Sequence, residues 1–279
     1  MPPSQTIDVV HALILAILQG LTELFPISSL GHAVVLPHLL GWNLDQESPG
    51  FLPFLVALHL GTAVALLLYF WEDWWALLTS LLPDATDRIS RENRYLLFLI
   101  VIGTVPAGVI GLVLEKRLAA LFGLYWIAAI FLILNGLMLF GGELLRRRSR
   151  FQNLAELRPS QAVVIGLSQA LALLPGFSRS GASMVGGLLV GLTHQAAARF
   201  SFLLATPIIL AAGVLELPRL LQPALRPELG PAVLGGIAAC AVAYLSTALL
   251  MRYFKQQDVN ALVPFGVYCI LLGIVSLAL

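Results

Sequence analysis

The residues able to do chemistry gather in two short stretches, each inside a strongly apolar region. The first, QGLTELFPISSLGH from Gln19 to His32, places an amide, a carboxylate, two adjacent hydroxyls and an imidazole around one proline. The second, PGFSRSGAS from Pro175 to Ser183, places Arg179 among three hydroxyls, Ser178, Ser180 and Ser183, after a Pro-Gly pair. A hydroxyl, a base and a carboxylate in one small volume suit nucleophilic catalysis. An arginine beside serines suits an oxyanion, because its planar fork grips phosphate oxygens two at a time.

Local geometry follows from spacing. Gln19 and Glu23 lie four residues apart and share a helix face. Pro26 ends that helix, and Ser28 or Ser29 can cap the next, with His32 about one turn in. In the second stretch Pro175-Gly176 breaks the helix and Ser178 or Ser180 can cap its successor, from which Arg179 projects. Two half-helix N-termini facing one another supply free N–H groups and positive dipole ends, which suit phosphate. An ionisable group at membrane depth costs at least about 2.5 kcal/mol without a partner, so Glu23 and Arg179 demand a function or each other. A purely structural Glu23–Arg179 pair is one reading, and Gln19 with Gln169 as interhelical glue is another. His11, His38 and His59 are expected at interfaces or in satisfied hydrogen bonds rather than at the chemistry.

The elements that position these groups are membrane helices. The 279 residues are 59% hydrophobic and only 11% charged, where a soluble domain carries about a quarter. A net charge of +1 and no basic run interleaved with aromatics speak against nucleic acid as a partner. Cys240 and Cys269 lie in apolar stretches and are expected as packing residues, not a disulfide or metal pair. The N-terminus lacks the positive region of a secretory signal, so no cleavage is expected. Six stretches, about 52–71, 95–114, 118–141, 197–215, 230–251 and 261–279, are predicted as spans of about 20 residues. Two more, 7–40 and 160–193, are broken in the middle, and their halves are short for spans. They are predicted as re-entrant hairpins, tolerable where the break is buried in protein or lines a wet cavity.

Alternating the sides gives one face Arg88, Arg91, Arg94, Arg146, Arg147, Arg148, Arg150, Arg158, Arg252 and Lys255, and the other only Lys116, Arg117, Arg219 and Arg226. The first face is expected in the cytoplasm, which puts both termini outside and brings the first hairpin in from outside. Trp71, Trp74 and Trp75 then fall at a cytoplasmic boundary. At an offset of 150, Gln19, Ser28 and Gly31 recur as Gln169, Ser178 and Gly181. The expected fold is therefore one all-α polytopic membrane domain over 1–279, an inverted repeat of about 7–141 and 160–279 joined by a basic linker at 142–159. Each half holds one re-entrant hairpin and three transmembrane helices, with the site where the breaks meet.

At these residues the sequence resembles the undecaprenyl-pyrophosphate phosphatase family, the membrane enzymes associated with bacitracin resistance. The family's Glu/Gln-x-x-x-Glu motif appears as Gln19 to Glu23 and runs into Pro-x-Ser-Ser-x-Gly-His at Pro26 to His32. Its Pro-Gly-x-Ser-Arg-Ser-x-x-Thr motif matches Pro175 to Ser183, with Ser183 replacing the threonine. Glutamine at position 19 removes one anionic metal ligand. The similarity runs from about residue 7 to the C-terminus.

The resemblance implies hydrolysis of undecaprenyl diphosphate to the monophosphate carrier used in cell-wall synthesis. It also implies a bacterial plasma membrane location, a divalent cation (Mg²⁺ or Ca²⁺), a site open to the periplasmic or outer face, and dimers. The expected catalytic residues are Glu23, Ser29, His32 and Arg179: Ser29 is the preferred nucleophile, with direct attack by water and His32 as nucleophile the alternatives, and Glu23 and His32 share base, acid and metal-ligand roles. Gln19, Ser28, Gly176, Ser178, Ser180 and Ser183 are expected to bind substrate, and Glu23, with Gln19 nearby, to meet the metal. A lipid-phosphate flippase or secondary transporter with a midplane anion site is the competing reading, because inverted repeats with broken helices are typical of transporters.

Overall fold

A computed structural model describes residues 8–42, 48–119, 121, 124–146 and 153–279, with side chains left aside for 115–119. The regular elements among the described residues are all helices, with no strand among them. Among the described residues five helices are long and apolar enough to cross a membrane: α3 (Phe51–Tyr69), α5 (Arg88–Ala119), α6 (Tyr125–Leu145), α9 (His194–Leu220) and α10 (Arg226–Gln256). A short amphipathic helix, α4 (Trp71–Thr79), follows α3 and exposes Trp71 and Trp75. The side chains of Lys116, Arg117, Arg147, Arg148 and Arg150, which entered the charge count, lie outside the described residues.

Both broken regions consist of two short helices. In the first, α1 (Val9–Thr22) and α2 (Ser29–Leu39) have 14 and 11 residues. In the second, α7 (Pro159–Gln169) tightens into a 3₁₀ turn at Ala170–Leu173, and α8 (Arg179–Val190) follows. At 1.5 Å per residue none of these pieces spans a bilayer alone. The expected span at 261–279 is a 16-residue helix, α11 (Val263–Ala278), shorter than predicted. Its start is delayed by a turn in which Asn260 takes φ +53° and by Pro264 in the first helical turn, where a missing N–H costs nothing.

The surface is inverted relative to a soluble protein. Val113, Val214, Leu68, Leu245 and Leu249 are all more than half exposed, and the apolar belt they belong to faces lipid. With lipid outside and apolar groups inside, helices associate through close packing and interhelical hydrogen bonds. Glycines make that approach possible. A Cβ at Gly61 on α3 would lie 2.1 Å from Gly236 O on α10, and one at Gly136 on α6 would lie 2.5 Å from Gly266 O on α11. Gly166 on α7 meets Gly103 O on α5 at 2.2 Å by the same measure.

Helix pairing crosses between the first and second parts of the chain. α1 packs on α10 and α7 packs on α5, while α3 lies against α9 and α6 against α11. The basic end of the bundle is fastened by His194, whose ring nitrogens face Glu143 Oε1 at 2.8 Å and Asp258 Oδ1 at 3.0 Å. Arg146 Nη1 donates to Asp258 O at 2.6 Å. Together they tie the end of α6, the start of α9 and the loop before α11. Cys240 and Cys269 are both free thiols.

Gly166→Val should lower stability by about 1–3 kcal/mol, because the added atoms meet backbone that cannot yield. Gly108→Ala, where a Cβ meets only Ile208 Cδ1 at 3.7 Å, should be neutral. Thermal unfolding of both variants in detergent, followed by tryptophan fluorescence, measures the difference.

Candidate active site

The two breaks meet. A Cβ added to Gly31 on α2 would lie 3.1 Å from Gly176 Cα, and one on Gly181 of α8 would lie 3.2 Å from Pro26 Cβ. Each following half-helix is capped by its serine. Ser28 Oγ accepts from Gly31 N, and Ser178 Oγ accepts from Gly181 N, both at 3.1 Å. Ser28 holds φ +68°, a conformation that costs a non-glycine residue about 1–3 kcal/mol and tends to persist at functional sites. Gly176 holds φ +107° and presses on α6, where a Cβ would lie 2.4 Å from Ala128 O.

One side chain from α6 joins both breaks. Fully buried Asn135 donates from Nδ2 to Pro26 O at 3.0 Å and accepts at Oδ1 from Ser178 N at 3.0 Å. The amide thus uses one donor and one acceptor to hold the two breaks in register.

Glu23 is the centre of the cluster. Arg179 Nε and Nη2 donate to Glu23 Oε1 at 3.2 and 2.9 Å. Glu23 Oε2 accepts from Ser29 Oγ at 2.5 Å and from Gln19 Nε2 at 3.1 Å, and it lies 3.2 Å from His59 Nε2. His59 comes from α3, and its Nδ1 lies 2.8 Å from Leu55 O. Both ring nitrogens therefore face acceptors, the hydrogen-bond pattern of the protonated ring. One carboxylate then faces two cationic groups. The Glu23–Arg179 pair alone is neutral, and a protonated His59 gives the cluster surplus positive charge that suits an anion.

A cavity of about 200 Å³ opens on this cluster. Glu23, Ser28, Ser29, His59, Ser178 and Arg179 line its polar part, while α3, α5 and α9 contribute apolar walls such as Leu55, Ala107 and Ile208. A polar floor under an apolar wall fits an amphiphile with a charged head.

The structure brings Gln19, Glu23, Ser29 and Arg179 together and leaves other expected residues nearby but differently engaged. His32 is buried with Nδ1 2.6 Å from Ser28 O and Nε2 2.8 Å from Tyr268 Oη, stacked parallel to that ring. It bonds neither Glu23 nor Ser29 in this state. Ser180 Oγ donates to Glu23 O and Phe25 O at 3.3 and 3.2 Å, which ties α8 to the first break. Ser183 Oγ pairs with Ser201 Oγ at 2.6 Å, and Ser201 O accepts from Arg179 Nη1 at 3.4 Å. Gly176, Ser180 and Ser183 thus shape the cavity from behind rather than line it.

His59, expected at an interface or in satisfied hydrogen bonds, has both ring nitrogens engaged, one of them by Glu23. Asn135, Ser201 and Tyr268 were missed. No local motif marks any of them. For a metal, the described residues offer no group of three or more His, Cys, Asp or Glu side chains placed to hold one. Both oxygens of Glu23 are already engaged, so the side chains alone do not fit a resident cation.

The fold and cavity define a polytopic membrane protein with a buried cationic cleft at two interrupted helices. The family described as bacitracin resistance protein BacA matches residues 12–275, and the chain belongs to it. An undecaprenyl-diphosphatase of Acidiphilium cryptum is 53% identical over 272 residues, 96% of each chain. That of Granulibacter bethesdensis is 51% identical, covering 98% of this chain and 97% of its own. An undecaprenyl-diphosphatase 2 of Chromobacterium violaceum is 50% identical over 97% of this chain.

Asn135→Ala leaves Ser178 N and Pro26 O without their side-chain partner, at a cost of about 1–3 kcal/mol. A fall in the unfolding midpoint of that size, in the same detergent assay, is the expected outcome.

Proposed function

We propose that this protein is an integral membrane phosphatase that hydrolyses undecaprenyl diphosphate to undecaprenyl phosphate and inorganic phosphate, recycling the lipid carrier of cell-wall synthesis. The single observation that carries this reading is Ser29 Oγ donating at 2.5 Å to a carboxylate that is itself paired with Arg179. A carrier needs an anion site, but it has no use for a hydroxyl aimed at a base beside that site. The near-full-length relatives named undecaprenyl-diphosphatase support the same substrate.

In the proposed reaction Ser29 gives its proton to Glu23 Oε2 as Oγ attacks the terminal phosphorus. The bond from that phosphorus to the bridging oxygen breaks, and undecaprenyl phosphate departs. Water then attacks the phosphoserine and the Ser29 Oγ–P bond breaks; Glu23 returns its proton to Ser29 Oγ, and both protons of the water leave on inorganic phosphate. Arg179, His59 and the N–H groups of the capped half-helices neutralise the charge that spreads over the phosphoryl oxygens, the main demand in phosphoryl transfer. Gln19 orients Glu23. His32 is assigned here to hold the start of α2 through Ser28 O, with an acid–base role if it leaves Tyr268. Ser28 and Ser178 cap the helices whose N–H groups meet the head group.

Several finer features belong to the same proposal. The matched helix pairing and the recurrence at an offset of 150 support an inverted repeat with re-entrant hairpins. The charge asymmetry supports both termini outside and a cavity open to the periplasmic face. A divalent cation, Mg²⁺ or Ca²⁺, would arrive with the substrate and supply charge neutralisation, and Glu23 is the residue that would meet it. A homodimer is retained from the family resemblance.

Phosphate release from undecaprenyl diphosphate by purified protein in detergent tests the activity directly. Glu23→Gln should lower kcat by about 10²–10⁴-fold, the typical contribution of a general base. Ser29→Ala removes one small group, should fold normally and should be inactive. Near-full turnover by it would eliminate the covalent route, and trapped phosphate on Ser29 would support it. Chelation should stop turnover yet leave the unfolding midpoint of ligand-free protein unchanged, since the protein alone builds no cation cage. A clear midpoint rise with Mg²⁺ alone would contradict that.

A further inference from the structure

We propose that Gln169 is a substrate-binding residue for the phosphate that stays on the lipid, in a subsite distinct from the Glu23–Ser29–Arg179 cluster. The inference rests on the diphosphate reading above and deepens it. Gln169 is only 2% exposed, and neither Oε1 nor Nε2 has a hydrogen-bond partner among the described residues. A buried amide with both ends unsatisfied is rare in native structures and calls for an explanation. Gln169 is among the residues lining the cavity that holds Glu23, Ser29 and Arg179, and its amide lies buried at that wall.

Comparison of the two halves explains why this amide is free. Gln19, its counterpart 150 residues earlier, donates to Glu23 one helical turn on. The residue one turn after Gln169 is Leu173, which has nothing to offer an amide. The first half thus uses its glutamine to hold the base, and the second half leaves its glutamine unpartnered and buried beside the cavity.

Position then selects the ligand group. The phosphorus under attack must lie at Ser29 Oγ and Arg179. Gln169 hydrogen-bonds no member of that cluster, so it meets another part of the same ligand. It ends α7 where the chain enters the 3₁₀ turn carrying Ala172 and Leu173, both of them apolar wall of the cavity. The amide therefore sits where the polar floor gives way to the apolar wall. In a polyprenyl diphosphate that boundary falls at the phosphate esterified to the lipid. Nε2 offers two donors to its non-bridging oxygens, and Oε1 accepts from water carried with the head group.

Product inhibition separates the two phosphates. Undecaprenyl phosphate retains the group assigned to Gln169, and inorganic phosphate is the group that leaves. Gln169→Leu should weaken inhibition by undecaprenyl phosphate about tenfold, the equivalent of one lost hydrogen bond, and leave inhibition by inorganic phosphate within twofold of wild type. KM for undecaprenyl diphosphate should rise more than kcat falls. Gln169→Glu keeps the size but replaces the donors with negative charge, so it should weaken undecaprenyl phosphate at least as much. Unchanged inhibition by undecaprenyl phosphate in both variants would overturn the proposal. So would equal weakening by both products, or full binding by Gln169→Glu. Failure of the wild-type protein to release phosphate would instead sink the diphosphatase reading itself, before any variant is compared.

Discussion

A carboxylate buried among apolar helices is costly unless its charge is matched and its lone pairs are used. Glu23 meets that condition with Arg179 and His59 as cationic neighbours and with Ser29 and Gln19 as donors. These partners arrive from three places: the first broken helix, α3 and the second broken helix. The need to satisfy one acid thus forces both breaks and α3 to a common point, and the cavity forms there. The same arrangement makes the site useful. Two cationic groups against one carboxylate leave an excess charge, which an incoming polyphosphate can occupy while Glu23 is freed to take a proton.

Holding that point requires neutral polar groups as well as charges. Asn135 spans the two breaks with one donor and one acceptor, and Ser180 ties α8 to backbone carbonyls of the first break. These contacts fix irregular backbone that could not exist facing lipid. Close glycine approaches between α3 and α10, α6 and α11, and α5 and α7 bring backbones near enough for such short side chains to reach. The scaffold is tight because the site is built from small groups.

Much of this was legible in the chain. Pro26 and Pro175-Gly176 mark the breaks, Ser28 and Ser178 act as the expected caps, and Gln19, Glu23, Ser29 and Arg179 meet as expected. These are local matters of proline geometry, capping and four-residue spacing, reinforced by the cost of charge in an apolar segment. The full length of the last span was misjudged, because hydropathy does not register the turn at Asn260 that shortens α11.

Sequence by itself determined that this is a broken-helix membrane protein and which ionisable groups must be paired. Only the tertiary structure decided the partners. His59 lies within a smooth apolar helix, 36 positions beyond Glu23, and its contact with that acid depends on how α3 packs beside the first break. His32 lies beside Ser29 in sequence, yet its ring is drawn to Tyr268, more than two hundred residues away, because α11 packs near the start of α2. Helix breaks are set by neighbours along the chain, whereas the direction in which a side chain finds its hydrogen bond is set by whatever helix closes over it.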